Sequence, residues 1–286
     1  MSIGIVAPAS PVTYDDIKGG ILWLQKNGFS VKTGKNLYKA DRFMAGSDQE
    51  RADDINEMFA DNDVDVIIAA RGGYGSGRML PYVDYGNIKR HQKTFIGLSD
   101  ITALQLAMLK KAGLPSYTGM VIKTDFTPDP APLLVDSLFA AVAGKKQCYN
   151  HLTRINGGKA TARIIGGNLT MIASLAGTEF FPDFTDSILF IEEVGEQPFR
   201  VDRMLNTLDL CGVFKKIKGI VIGDFSVKES NDSADGSLDE VFNERFSRLS
   251  IPVVKDFING HIKNKYLLKI GAIATLDADK GELYEI

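Results

Sequence analysis

Apolar residues along this chain fall in short blocks divided by polar, glycine-rich or proline-rich breaks, and the blocks alternate in kind. Residues 3–6 form a brief apolar run that Ala7-Pro8-Ala9-Ser10-Pro11 interrupts, and an amphipathic stretch over 14–27 follows. That order is strand, loop, helix. It recurs: 50–60 has a helical period, 64–70 reads as a buried strand, 95–98 as another strand, and 101–112 as a helix. Strands and helices alternating in this way predict a mostly parallel sheet flanked by helices.

The pattern changes after Phe126. Pro128, Pro130 and Pro132 crowd together, and proline is poorly tolerated inside a helix or a central strand, so a linker region is expected over 127–160. A helical stretch at 133–142 falls within it. Further on, 187–191, 217–222 and 251–254 have the apolar character of buried strands, and 201–210 reads as a helix. The expected fold is α/β with two α/β-type domains. An N-terminal domain over 1–126 carries the parallel sheet, and a mixed C-terminal domain covers 161–286.

A length of 286 residues leaves room for both, at roughly 100–200 residues per domain. With 44% hydrophobic and 24% charged residues the chain has the balance of a soluble globular protein. A net charge of -3 offers no cationic surplus for nucleic acid. No run reaches the ~18 apolar residues of a membrane span, and MSIGIVAPAS lacks the basic leader of a signal peptide, so the cytoplasm is the expected location. Cys148 and Cys211, with three scattered histidines, make neither a disulfide framework nor a zinc site. No metal and no cofactor is expected.

Four segments could carry chemistry. In Ile96-Gly97-Leu98-Ser99-Asp100-Ile101-Thr102 a serine stands where a strand ends and a helix begins. Unpaired N–H groups and the positive end of the helix dipole would stabilise an oxyanion there, although Ser99 or Asp100 could equally be a plain N-cap. Arg71-Gly72-Gly73-Tyr74-Gly75-Ser76-Gly77-Arg78 follows a strand, and its glycines permit a close backbone approach to a ligand. It lacks the Lys-Ser/Thr ending of a P-loop. Glu192, Glu193 and Glu196 follow the strand at 187–191, where they could serve a site or form a solvated acidic loop with Arg200 and Arg203. His261, in Asn259-Gly260-His261, sits in a glycine-bearing loop after the strand at 251–254, whereas His91 and His151 lie in polar surface-like stretches. A serine, a carboxylate and a histidine supply nucleophile, orienter and base, yet sequence distance alone does not bring them together.

Taken in order, these segments resemble the LD-carboxypeptidase family of serine peptidases, which includes the microcin C self-immunity peptidases. The likeness runs from Ala7-Pro8-Ala9-Ser10-Pro11 through Arg71-Gly72-Gly73-Tyr74-Gly75, Gly97-Leu98-Ser99-Asp100-Ile101-Thr102, Gly166-Gly167-Asn168-Leu169 and Leu189-Phe190-Ile191-Glu192-Glu193. It continues through Asp202-Arg203 and Gly260-His261 to Ile270-Gly271-Ala272. The resemblance implies Ser99 as nucleophile, Glu192 as triad carboxylate, His261 as base, and backbone amides of Gly73 and Asp100 as the oxyanion hole. It also implies a homodimer and a small peptide substrate, with a murein tetrapeptide losing its terminal D-amino acid during cell-wall recycling.

Two departures bear on specificity. Ser116-Tyr117-Thr118-Gly119-Met120-Val121 stands where family members often carry a His-Gly-Pro-Met-like segment, and Ile262 replaces the glycine common after the histidine, with Lys263 and Lys265 close behind. A microcin-immunity-like peptidase cutting a peptidyl-nucleotide amide is the neighbouring expectation. The stretch over 181–187 is short for an elaborate recognition loop, and the only tryptophan, Trp23, lies in an early helix. A catalytically silent protein holding a peptide or nucleotide on the 71–78 loop is the alternative of another class.

Overall fold

The computed structural model describes residues 1–126, 129–226 and 236–286, so Pro128 of the expected linker lies outside the described residues. Five short strands, β1 (Ser2–Val6), β2 (Ser30–Thr33), β3 (Val66–Ala69), β4 (Thr94–Gly97) and β5 (Ser116–Thr118), come first. They are followed by β6 (Cys148–Tyr149), β7 (Thr153–Asn156), β8 (Lys159–Asn168), β9 (Ser187–Val194), β10 (Gly219–Ser226) and β11 (Val253–Lys255). The chain closes with β12 (Leu268–Ile270), β13 (Ile273–Asp277) and β14 (Glu282–Glu285). The α-helices of the first half are α1 (Tyr14–Lys26), α2 (Asp48–Ala60), α3 (Ser76–Met79), α4 (Tyr85–Arg90), α5 (Thr102–Ala112) and α6 (Ile122–Asp125). After them come α7 (Pro132–Val142), α8 (Leu169–Ser174), α9 (Pro198–Leu210) and α10 (Leu238–Phe246).

Two sheets result. One has six strands in the order β12-β5-β4-β3-β1-β2, and the other eight in the order β6-β14-β13-β8-β9-β10-β11-β7. Strands β1 to β5 are parallel, as the alternating blocks predict, and only β12 joins antiparallel, along β5. The eight-stranded sheet is mixed: β8, β9, β10 and β11 run parallel, while β13, β14, β6 and β7 add antiparallel neighbours. Within the stretch expected as linker, α7 begins on Pro132 at its first turn, where the missing N–H costs nothing, and β6 and β7 join the edges of the second sheet.

Helix starts follow local chemistry. Thr13 and Ser47 each accept an N–H from the third residue of α1 and α2, while Asp16 and Glu50 bond back to the cap backbone. The central parallel strands bury both faces, which is why they read as continuous apolar runs. In β3, Ile67 and Ala69 face a core continuous with the second sheet, through Leu98, Leu104, Ile164, Leu189 and Phe190, whereas Val66 and Ile68 face a separate cluster under α1. The first core therefore joins the two halves and carries the loops at the ends of both sheets.

One close seam lies where α5 meets β8. Asn168 N–H donates to Thr102 Oγ1 at 3.1 Å, and Gly167 has φ +145°, a region closed to most side chains. A Cβ built on Gly167 would stand 2.6 Å from Thr102 Cγ2. Gly167→Ala should therefore destabilise the protein by about 1–3 kcal/mol through overpacking and backbone strain. Thr102→Ser, which deletes that methyl and keeps the hydroxyl, should recover part of the loss in denaturant unfolding. An alanine variant as stable as the parent would show that the seam is looser than described.

Candidate active site

Ser99 occupies the turn after β4. Leu98 is extended, Ser99 itself has φ +67°, and a single 3-10 turn over Ser99–Ile101 leads into α5. A non-glycine residue in the left-handed region is strained, and such strain persists only where the surroundings impose it. They do so through Gly72. A Cβ on Gly72 would lie 2.9 Å from Ser99 Cβ, so the 71–78 loop lies against the serine as only glycine allows.

Neither Ser99 nor Asp100 makes the side-chain cap that the plain N-cap reading requires, and neither the 3-10 turn nor α5 has a side-chain cap at all. The Asp100 carboxylate is used differently. Its Oδ1 accepts Gly75 N–H at 3.3 Å and its Oδ2 accepts Ser76 N–H at 2.8 Å, while Ser76 Oγ donates to the Asp100 carbonyl. This ties the glycine-rich loop to the serine turn. From the other side, Tyr74 N–H donates to Ser10 Oγ at 3.1 Å and Ser10 N–H donates to the Gly72 carbonyl at 3.2 Å. Beneath, the buried Arg51 donates to the carbonyls of Pro8 at 2.7 Å and Gly75 at 2.6 Å. Gly73, at φ +106°, is thus bracketed by fixed neighbours, and Gly72, which precedes it, lies against Ser99.

The acids were expected just past a strand; instead β9 runs on to Val194, so Glu192 and Glu193 lie within it and are 0% and 3% exposed. The reason is pairing: β8 and β10 extend alongside and satisfy the backbone to that point. Alternation along the strand sends the two side chains apart. Glu192 Oε2 lies 2.8 Å from His261 Nδ1. Glu193 turns the other way and accepts Asn168 Nδ2, Val194 N–H and Thr170 N–H at 3.1, 2.8 and 2.8 Å, holding the start of α8. The acidic loop pairing with both arginines is not formed: Glu196 reaches Arg200 at 3.5 Å, whereas the Arg203 guanidinium lies over the Phe199 ring.

His261 hangs from the first sheet as well as from the second. Asn259, fully buried, donates from Nδ2 to the carbonyls of Thr118 at 3.0 Å and Tyr266 at 2.9 Å. Thr118 is paired with Gly97, two residues before Ser99. The histidine loop is therefore anchored on the strand beside that of the serine. Because a carboxylate only accepts, the contact with Glu192 puts a proton on Nδ1 and leaves Nε2 as the basic nitrogen. Burial pushes the His261 pKa down, but the hydrogen bond and charge of Glu192 outweigh it, and the net shift is upward from 6.5.

The structure thus joins Glu192 to His261 directly and ties the loop of Gly73, which follows β3, to the turn of Ser99 and Asp100, which follows the neighbouring β4. His91 bonds to Asn87, and His151 is exposed. Both cysteines are exposed and unpaired. Among the described residues no group of three or more His, Cys, Asp or Glu is arranged to hold a metal ion, and no helix is long and apolar enough to cross a membrane. A cavity of about 740 Å³ opens beside the Asp100 tether, lined by Tyr74, Gly75, Thr170, Met171 and Phe180, but Ser99, Glu192 and His261 do not line it. The roles of Asn259, Ser10 and the Asp100 side chain were not foreseen from sequence. Each is a long-range bond to a backbone atom, which leaves no local pattern.

Known proteins resemble this chain in both of its halves. Residues 3–119 match the LD-carboxypeptidase N-terminal domain and residues 161–276 the LD-carboxypeptidase C-terminal domain. A probable murein peptide carboxypeptidase of Bacillus subtilis is 33% identical over 294 residues, covering 99% of this chain and 91% of that protein. The crystal structure of muramoyltetrapeptide carboxypeptidase from Oxalobacter formigenes superposes with a TM-score of 0.92 at 34% identity, covering 99% of this chain and 97% of the other. A structure of MccF in complex with glutamyl sulfamoyl guanosine superposes with a TM-score of 0.91 at 26% identity, covering 99% and 95%. With both domain types matched in order across most of its length, the chain belongs to the LD-carboxypeptidase family and is a peptidase of that family.

Proposed function

We propose that this protein is a serine carboxypeptidase that removes the terminal D-amino acid from murein tetrapeptides, with Ser99, His261 and Glu192 as its triad. The observation that carries this reading is the 2.8 Å contact between the buried Glu192 and the partly buried His261, which leaves Nε2 as the base on a loop anchored to the strand beside that of a strained serine. In the first step Ser99 Oγ attacks the carbonyl carbon before the terminal residue while its proton passes to His261 Nε2. Backbone N–H groups of Gly73 and Asp100 receive the oxyanion. Collapse expels the D-amino acid as an amine that takes the proton back from His261. Water, deprotonated by the same nitrogen, then releases the acyl group from Ser99.

The murein substrate is favoured by the relatives whose names specify murein peptides and by the placement of Trp23. Nucleotide binding benefits from an available aromatic platform, whereas Trp23 packs 5.3 Å from Phe126 and 6.4 Å from Phe139. We infer the cytoplasm as its setting and, as the family resemblance implies, a homodimer as its assembly. Purified protein should convert a murein tetrapeptide to the tripeptide plus D-alanine by mass spectrometry, leaving the pentapeptide and an aminoacyl-nucleotide amide intact. Cleavage of the nucleotide amide alone would move the reading to the immunity-type activity, and binding without cleavage would mean a silent protein.

The adjacent acids give a second test. Glu192→Gln should lower turnover by about 10⁴, as loss of the orienting carboxylate does in other triads, while Glu193→Gln should cost about 1–3 kcal/mol of stability by turning a donor toward Thr170 N–H and leave turnover near normal. The pH profile adds a sign. His261 acts as base only when neutral, and its pKa is raised, so kcat/KM should climb as pH passes a value above 6.5. For stability the same shift favours the folded state below 6.5 and is lost as pH rises through the folded pKa. Removing the Glu192 charge should move the acid limb to lower pH. An unmoved limb, or the opposite ranking of the two acids, would reassign the triad.

A further inference from the structure

The loop bearing His261 is held by an ion pair that the mechanism does not use. Lys265 Nζ lies 2.9 Å from Asp125 Oδ1, with the two side chains 2% and 3% exposed. The same ammonium donates to the Gly260 carbonyl at 3.1 Å. Asp125 ends α6, and its Oδ2 accepts Val121 N–H at 2.8 Å, so the acid is itself fixed in the first half of the chain. Two charges buried this deeply lose much of their hydration, and the attraction between them offsets that loss only in good geometry. Such a pair adds little to stability over an apolar replacement. What it does add is a fixed position for the Gly260 carbonyl, and the peptide unit that contains this carbonyl enters His261.

We propose that Lys265 is a positioning residue for His261: by binding the Gly260 carbonyl and Asp125 together, it seats the imidazole between Glu192 and the Ser99 turn. This rests on the reading of His261 as general base. It also predicts an electrostatic signature. The charges acting on the ring are Glu192 and Glu193 of β9 and Lys265 of its own loop, and Asp224 of β10 packs against Gly260, its Cβ 2.9 Å from a Cβ built on that glycine. Asp125 lies behind Lys265, and Lys123 of the same helix is turned to Asp16 at 2.8 Å. Burial lowers the His261 pKa, Glu192 raises it, and the fixed Lys265 charge opposes Glu192.

Lys265→Met and Asp125→Asn, made separately in the full chain, discriminate positioning from support. Both remove one partner of a buried pair, so both should melt at lower temperature. Misplacing the base should lower kcat in each on the order of ten- to a hundredfold with KM little changed. The acid limb of kcat/KM should move in opposite directions: to higher pH in Lys265→Met, which loses the opposing cation, and to lower pH in Asp125→Asn, which leaves that cation without its counter-charge. If Lys265→Met does not fold, the downward move in Asp125→Asn decides alone. A lower melting temperature with an unmoved limb, or moves in the same direction, would overturn the proposal. His261→Ala is the control: activity surviving in that variant would instead overturn the general-base reading beneath it.

Discussion

Glu192 carries a carboxylate into a fully buried place, and the site is organised around that constraint. An ionised carboxyl there needs partners, because burial without them costs several kcal/mol. One oxygen has His261 Nδ1 at 2.8 Å, while Oε1 has no hydrogen-bond partner among the described residues. The histidine is accordingly bound tightly to the acid, and the side effects follow. Its proton is assigned to Nδ1, Nε2 is left as the basic nitrogen, and its affinity for a second proton rises.

The proposed site draws on both sheets. Glu192 belongs to the mixed sheet and Ser99 to the parallel one, so precision depends on bonds that cross between them. Asn259 reaches Thr118, Thr102 takes Asn168 N–H, and Lys265 reaches Asp125. β12 does the same by main chain, leaving the C-terminal half to pair with β5. Around the serine, Asp100, Ser10 and Arg51 tether the 71–78 loop from three sides. Polar groups buried in this way give position rather than net stability, which is what a nucleophile and a base must have to act together.

Much of this was legible in the chain. The alternation of apolar blocks gave the parallel sheet, and α1, α2, α5 and α7 lie within a residue or two of the expected limits. Ser99, Glu192 and His261 stood out as candidates through the ordered motifs of the family resemblance, although only Ser99 sits just past its strand, Glu192 lying inside β9 and His261 in a loop well beyond β11. What escaped is non-local. β12 is three residues long and shows no period, so its transfer to the first sheet could not be read. β8 mixes small, polar and apolar residues because its first half is exposed and its second half buried, which blurs both strand patterns. The extension of β9 through two acids contradicts local propensity and is explained by the pairing of β8 and β10 alongside it, with Glu192 meeting His261 and Glu193 meeting α8. The Asp100 carboxylate looked like a cap and is a tether, since the loop it binds lies 24 residues away.

The proposed mechanism requires Ser99 to be a nucleophile that His261 activates. A serine-directed phosphonofluoridate, which attaches covalently only to an activated hydroxyl, reports this without any choice of peptide substrate. Peptide mapping by mass spectrometry should place one adduct on Ser99 in the parent protein, with its formation slowed by orders of magnitude in His261→Ala. An adduct elsewhere, or labelling of Ser99 at the same rate without His261, would contradict the account.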